Sequence, residues 1–262
     1  MLWQILLQFI FRITFGVALA MAITPSRLVT SGFYRIHLWV LMGANVFASL
    51  ILFTSEQPVP DPVMPLLSML VPGLAVASYF GSVAWLYERP QVGRGFLVVI
   101  TVSGLLAAGC SQAWENDAGS LATLLLAADV LTSGLLLGSV LTAMLLGHWY
   151  LNTPSMQLAP LKRLLLLLFA GLALRMLICG SSLILELGQP EAEAWGIRTW
   201  SIISFRWLAG LVGTLVLTLL TWQTLKVPNT QSATGILYAA VILTFLGELV
   251  SQLLGVDMHY PL

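Results

Sequence analysis

Charge is what this chain has least of. Only 8% of its 262 residues are Asp, Glu, Lys or Arg, against about 25% in an average soluble domain. So few polar groups cannot cover a water-soluble fold of this length. With a mean hydropathy of +0.94, lipid is the solvent for much of the surface. Lys+Arg and Asp+Glu balance at 11 each. No Lys/Arg run offers a phosphate-binding face, so nothing points to a nucleic-acid partner. Cysteine is as scarce. Cys110 and Cys179 form no CxxC, which leaves no disulfide framework and no metal knuckle. Both read as small buried hydrophobes. P-loop, GxSxG, HExxH and zinc-ligand spacings are also missing. The N-terminus lacks the positive charge that precedes a signal peptide's apolar core. MLWQILLQFIF runs uncharged to Arg12 and reads as a transmembrane helix.

Long apolar runs are what the chain does have. A membrane span needs about 20 apolar residues. Eight stretches qualify: 3–23, 35–54, 64–87, 95–112, 121–147, 162–187, 201–224 and 232–254. The fold class is therefore an all-α integral membrane protein. Pro25, Pro90, Pro154, Pro160, Pro190 and Pro228 punctuate the connections. Arg27, Arg35, Arg89, Arg94, Lys162, Arg163 and Lys226 all fall in alternate connections. The intervening connections and the C-terminal tail hold Arg198 alone, with Glu56, Asp61, Glu115, Asp117, Glu191, Glu193 and Asp257. The positive-inside rule then places the basic connections in the cytoplasm. A multi-pass protein of the cell membrane with both termini on the non-cytoplasmic side is expected.

The two halves echo each other. Thr24-Pro25-Ser26 and Thr153-Pro154-Ser155 each follow one apolar run, and Arg35 or Arg163 opens the next. Trp85-Leu86-Tyr87-Glu88-Arg89-Pro90 closes span 3 as Trp222-Gln223-Thr224-Leu225-Lys226-Val227-Pro228 closes span 7. Gly95 and Gly235 follow them. An internal duplication is expected, with residues 1–112 and 113–262 as its two units. Four spans per unit keep both units in one orientation, related by an axis along the membrane normal. Short connections make each unit an up-down four-helix bundle. Gly134 and Gly138 in span 5, and Gly210 and Gly213 in span 7, are small residues that let helices approach closely in lipid.

Six ionisable residues lie inside the spans: Arg12, Asp129, Arg175, Glu186, Arg206 and Glu248. Each costs at least ~2.5–3.5 kcal/mol near a helix centre, so each should face the bundle interior and pair. Three basic and three acidic groups permit complete pairing. Helical rise puts Arg12 and Arg175 roughly 18 Å from the inner connections, near mid-bilayer, and the others further out. Arg206 and Glu186 fall near enough to the interface to snorkel. Arg175, Cys179, Ser182 and Glu186 make one stripe on span 6. Gln8, Arg12 and Gly16 make another on span 1. Thr244, Glu248, Ser251 and Gln252 line span 8, and Asp129 and Ser133 share a face of span 5. Such stripes predict a polar cleft opening outward. The competing reading is that the same charges only fasten helices together.

His37 and His148 lie at equal depth near the inner surface, where two imidazoles can hold a b-type haem. No second His pair and no CxxCH accompanies them. Hydrogen bonds at the inner interface are the favoured reading, with haem disfavoured and no covalently bound cofactor expected. His259 lies in a short outer tail. The nine tryptophans fall almost all at span ends, as an interfacial belt requires. In span count, duplication and outward polar cleft, the architecture resembles the eight-helix membrane subunits of polysulfide-reductase-type complexes. That resemblance implies a quinol site near the outer face without haem in the subunit. It carries no residue across. The functional expectation is a membrane subunit of a larger, redox-linked complex, with a quinol- or proton-handling cleft formed by the six buried ions. A small-solute transporter or exporter and a passive anchor or assembly factor are the alternatives. Against transport, Pro72 in span 3 has no counterpart in span 7.

Overall fold

Lipid leaves a backbone no partner but itself, so a chain this apolar spans as helices. The computed structural model describes residues 2–55, 59, 61–112, 120–153, 155–227, 229–256 and 258–262. Helix α1 is Leu2–Ile23, α2 Ser31–Thr54, α3 Met64–Leu86, α4 Pro90–Ser111, α5 Ser120–Asn152 and α6 Ala159–Leu187. Then α7, Ile197–Phe205, passes through a π-helical stretch, Arg206–Gly213, into α8, Thr214–Thr224. Helix α9 is Thr230–Leu254. Among the described residues there are eight helical spans long and apolar enough to cross a membrane, with α7, the π stretch and α8 forming the seventh. Glu56, Glu115, Asp117, Asp257, Trp114, Pro154 and Pro228 lie outside the described residues.

Local chemistry explains the helix ends. Proline sits in the first two positions of α3, α4 and α6, where its missing N–H would have had no helical partner. Asn229 caps α9 by accepting the Ser232 N–H at 3.0 Å. The two TPS segments close their helices alike. The Thr24 hydroxyl donates to the Ala20 carbonyl at 2.8 Å, and the Thr153 hydroxyl to the Trp149 carbonyl at 2.9 Å.

Two rings of neighbours build the bundle. α1, α2, α3 and α4 pack in sequence, and α4 returns to α1. α5 packs on α6, α6 on α8, α8 on α9, and α9 returns to α5. The rings meet where α1 packs along α5. These two are accordingly the most enclosed spans, with 72% and 61% of their central windows buried against protein rather than lipid. Glycine makes the meeting possible. A Cβ on Gly16 would collide with the Gly134 carbonyl, and one on Gly138 with the Gly16 backbone. The expected small-residue stripe of span 5 is therefore a helix crossing. Gly210 and Gly247 make a second close approach, between the π stretch and α9.

Span 7 runs as one helical span from Ile197 to Thr224 with the π stretch inside it. The sequence of that stretch, RWLAGLVG, carries an arginine and two glycines but no proline. Such a bulge widens the helix by one residue per turn and recurs at functional sites. Here it begins at Arg206. At the bundle end that joins α1 to α2, Trp85 departs from the belt pattern. It is buried, stacked on Tyr34 with ring centroids 4.0 Å apart, and the absence of a side chain at Gly93 makes room for it.

Candidate functional site: a buried ion chain ending on a cavity

Five of the six intramembrane ions form one chain. Arg12 of α1 pairs with Asp129 of α5, Nη2 to Oδ2 2.8 Å. The other Asp129 oxygen, Oδ1, pairs with Arg175 Nη1 of α6. Arg175 grips Glu248 of α9 with two parallel bonds, Nε to Oε1 at 3.1 Å and Nη2 to Oε2 at 2.9 Å. Glu248 Oε1 also accepts from Arg206 Nη2 at 2.8 Å. The order is Arg12, Asp129, Arg175, Glu248, Arg206, with charges alternating and both ends positive. Helical spacing brings Arg12, Asp129, Arg175 and Glu248 inward, because each lies on the polar stripe of its helix. None is more than 4% exposed.

Polar neighbours fill the remaining valences. Ser133, one turn beyond Asp129, donates to Glu248 Oε2 at 2.5 Å. Ser251 accepts from Arg175 Nη2 at 3.0 Å. Gln8 accepts from Arg12 Nε at 3.3 Å and donates to the Ala108 carbonyl and Ser111 hydroxyl, tying α1 to the end of α4. Gln112 accepts from Arg12 Nη2 at 3.1 Å. Arg175, in the middle, has every guanidinium nitrogen engaged. The end members do not. Arg12 Nη1, Arg206 Nε and Arg206 Nη1 are buried without a partner among the described residues. Arg206 Nη1 fits against the Gly210–Gly247 crossing, 3.0 Å and 3.2 Å from where their Cβ atoms would stand.

A cavity of about 270 Å³ adjoins the Arg12 end. It lies where the start of α1, the ends of α4 and α9 and the start of α5 converge. Gln8, Arg12, Gln112, Asp129, Ser251 and Gln252 line its polar side. Both amide atoms of Gln252 are buried without a partner among the described residues. Residues 258–261 of the tail line it as well, and the tail is held down at two points. Glu186 accepts the backbone N–H groups of His259 at 3.3 Å and Tyr260 at 2.9 Å. The Ser251 hydroxyl donates to the Leu262 carbonyl, linking the tail to the ion chain through Arg175.

The expected groupings meet the structure unevenly. Arg12, Asp129, Arg175, Arg206 and Glu248 come together, but only Arg12 and Asp129 reach the cavity wall. Arg175, Glu248 and Arg206 stand behind them. Glu186 corrects the expectation of complete pairing: its partners are tail amides and His259, whose Nδ1 is 3.7 Å away, and no arginine. Neither Arg206 nor Glu186 snorkels, being 0% and 2% exposed. Cys179 does more than fill space, since its sulfur accepts from Arg206 Nη2 at 3.6 Å. Gln112 and the tail went unanticipated. A polar residue at a helix end reads as a boundary, and a five-residue tail has no periodicity to betray its docking.

At the opposite end, His37 is buried, with Nδ1 2.6 Å from the Phe33 carbonyl and Trp149 packed edge-on to its ring. His148 is exposed, with Nδ1 3.2 Å from the Tyr238 hydroxyl. No family model matches this chain, and no curated protein or solved structure is significantly similar to it.

Proposed function

We propose that this chain is a membrane-embedded subunit of a larger, redox-linked assembly, and that its polar cleft receives a quinol headgroup or passes protons. The observation that carries this reading is the cavity ending on the Arg12–Asp129 pair. Its volume of about 270 Å³ falls just below the usual ~300–1,000 Å³ of small-molecule pockets, which suits a single-ring headgroup. Arg12 and the Gln252 amide supply donors to a ring oxygen. Asp129 and the Gln252 carbonyl supply acceptors to a ring hydroxyl. Asp129 is the only carboxylate on the wall that also belongs to the ion chain, so a proton released in the cleft would meet it first. The short connections leave the spans little surface of their own for other chemistry, which supports partner subunits.

The same reading places residues 1–112 and 113–262 as duplicated four-helix units with both termini on the non-cytoplasmic side. The matching TPS helix ends and the two rings of neighbours support the duplication. The charge asymmetry of the connections supports the orientation.

Two measurements test the proposal. A short-chain quinone should bind the protein in nanodiscs, and Asp129→Asn should weaken that binding or abolish quinol-dependent proton release. The native complex should bring other subunits through gentle purification. A solitary protein that ignores quinone would refute the reading.

Transport remains the second reading because of one observation. The π stretch lies within span 7 and begins at Arg206, and Pro72 lies inside α3. Irregular helices in both halves suit alternating access. Solute counterflow in proteoliposomes, lost on changing the chain ions, would favour it over the quinol reading.

A further inference from the structure

We propose that the Arg12 end of the ion chain is an oxyanion-binding site, and that the cleft takes a headgroup-sized ligand bearing one negative charge. The inference rests on the cavity being a ligand cleft, as above, and adds the charge of what enters it.

Three observations meet at this point. The first is the charge count of the chain. Among the described side chains of the chain, three arginines face two carboxylates, in surroundings that solvate charge poorly. Glu186 does not make up the difference. It stands eleven residues along α6 from Arg175, about 16 Å by helical rise, and both its oxygens hold tail amides. The second is Arg12 itself. It is 2% exposed and lines the cavity, yet Nη1 has no partner among the described residues. A guanidinium has no acceptor of its own, so only an acceptor can satisfy those N–H groups. The third is Gln252 on the same cavity wall, whose amide nitrogen and oxygen both lack a partner among the described residues, the nitrogen being a second donor for an entering acceptor. A carboxylate or phosphate oxygen meets both needs, because charged hydrogen bonds to guanidinium are short and strong. A neutral amide of the same shape can accept from both but brings no charge to Arg12.

The oxyanion has two sources: a small free carboxylate, or the phosphate of an anionic lipid headgroup. The test uses the full chain in phosphatidylcholine nanodiscs and follows thermal unfolding with benzoate, benzamide or a short-chain quinone added. A parallel sample replaces part of the lipid with phosphatidylglycerol. Benzoate should raise the unfolding midpoint in proportion to the logarithm of its concentration, and benzamide should not. Arg12→Gln should weaken benzoate at least about tenfold, as expected for a lost charged hydrogen bond. Gln252→Leu, which leaves the ion chain untouched, should weaken it less but measurably, and it answers the question if Arg12→Gln fails to assemble. Stabilisation by phosphatidylglycerol, lost in either variant, with benzoate inert, assigns the oxyanion to lipid and supports the proposal. Equal response to benzoate and benzamide overturns it, as does no response to benzoate or phosphatidylglycerol. Quinone binding alone removes this proposal and leaves the quinol reading. Benzoate binding without quinone does the reverse.

Discussion

Glu248 holds two arginines at once, and replacing it with glutamine removes one charge and almost no volume. Its carboxylate accepts from Arg175 Nε and Nη2, Arg206 Nη2 and Ser133 Oγ, at 2.5–3.1 Å. A glutamine carbonyl can keep two of these bonds. Its NH2 group would then face guanidinium donors with nothing to accept them. Among the described residues Arg206 loses its only carboxylate partner and keeps the Cys179 sulfur. Breaking a buried pair so that a charge stands uncompensated costs about 3–5 kcal/mol. Glu248→Gln should destabilise by that much. Arg206→Met should cost less, because it removes an end member and leaves the Arg175–Glu248 pair whole. In the double variant Glu248→Gln/Arg206→Met, the guanidinium that Glu248→Gln strands is gone and the charge balance of the ion chain returns to its starting value. Coupling between the two sites should then recover about 1–3 kcal/mol. Denaturant-dependent unfolding in detergent micelles, followed by tryptophan fluorescence, measures all four corners of the cycle. A Glu248→Gln loss below about 1 kcal/mol would sink the argument, since a buried ion pair cannot be broken so gently. Strict additivity would do so too, because it would mean that Glu248 and Arg206 do not feel each other.

Three further outcomes follow from the packing and the charges. Gly16→Ala places a methyl against the Gly134 carbonyl and the Gly138 backbone, and overpacking of this kind costs about 1–3 kcal/mol. Gly43→Ala, with nothing within 4 Å of the new methyl, should stay within about 0.5 kcal/mol in the same unfolding assay. Glu186→Ala frees the His259 and Tyr260 amides, so their hydrogen exchange should quicken by about one to two orders of magnitude. Unchanged protection there would mean that the tail is held by something other than Glu186. A cysteine replacing Lys226 should react with an impermeant maleimide only from the cytoplasmic side, and one replacing Arg198 only from the other. Labelling of both from one side would overturn the orientation.

Much of this arrangement could be read in advance, for one physical reason. A charge in lipid must turn inward, so the stripes around Arg12, Arg175 and Glu248 pointed at a shared interior before any coordinates. Apolar run length located the spans to within a few residues, because bilayer thickness sets a minimum. The order of pairing was not legible. Whether Asp129 meets Arg12, Arg175 or both depends on how α1, α5 and α6 cross, and those crossings depend on where Gly16, Gly134 and Gly138 let backbones touch. The π stretch was hidden for a related reason. Arg206–Gly213 holds no proline to mark a change of helix type, and its extra width is a matter of backbone geometry.

Glu186 shows why counting charges misleads where distance decides. Three arginines and three acids balance in the sequence, and neutral pairing follows if position is ignored. Yet Glu186 shares its helix with Arg175, and eleven residues of α-helix hold them about 16 Å apart along the axis. No rotamer closes a gap set by the helix itself. The Arg175 guanidinium must therefore find its acids on α5 and α9, and it does. The Glu186 carboxylate must find donors at its own depth, and the nearest are the backbone N–H groups of the tail. Placing the third acid there leaves the described side chains of the ion chain one negative charge short and fastens the tail across the cavity. The charge imbalance and the roof over the cleft thus have a single cause, the position of one glutamate on one helix. Moving a carboxylate to within reach of Arg206 should cancel the first without touching the second. Cys179→Asp does this, since the Cys179 sulfur already lies 3.6 Å from Arg206 Nη2.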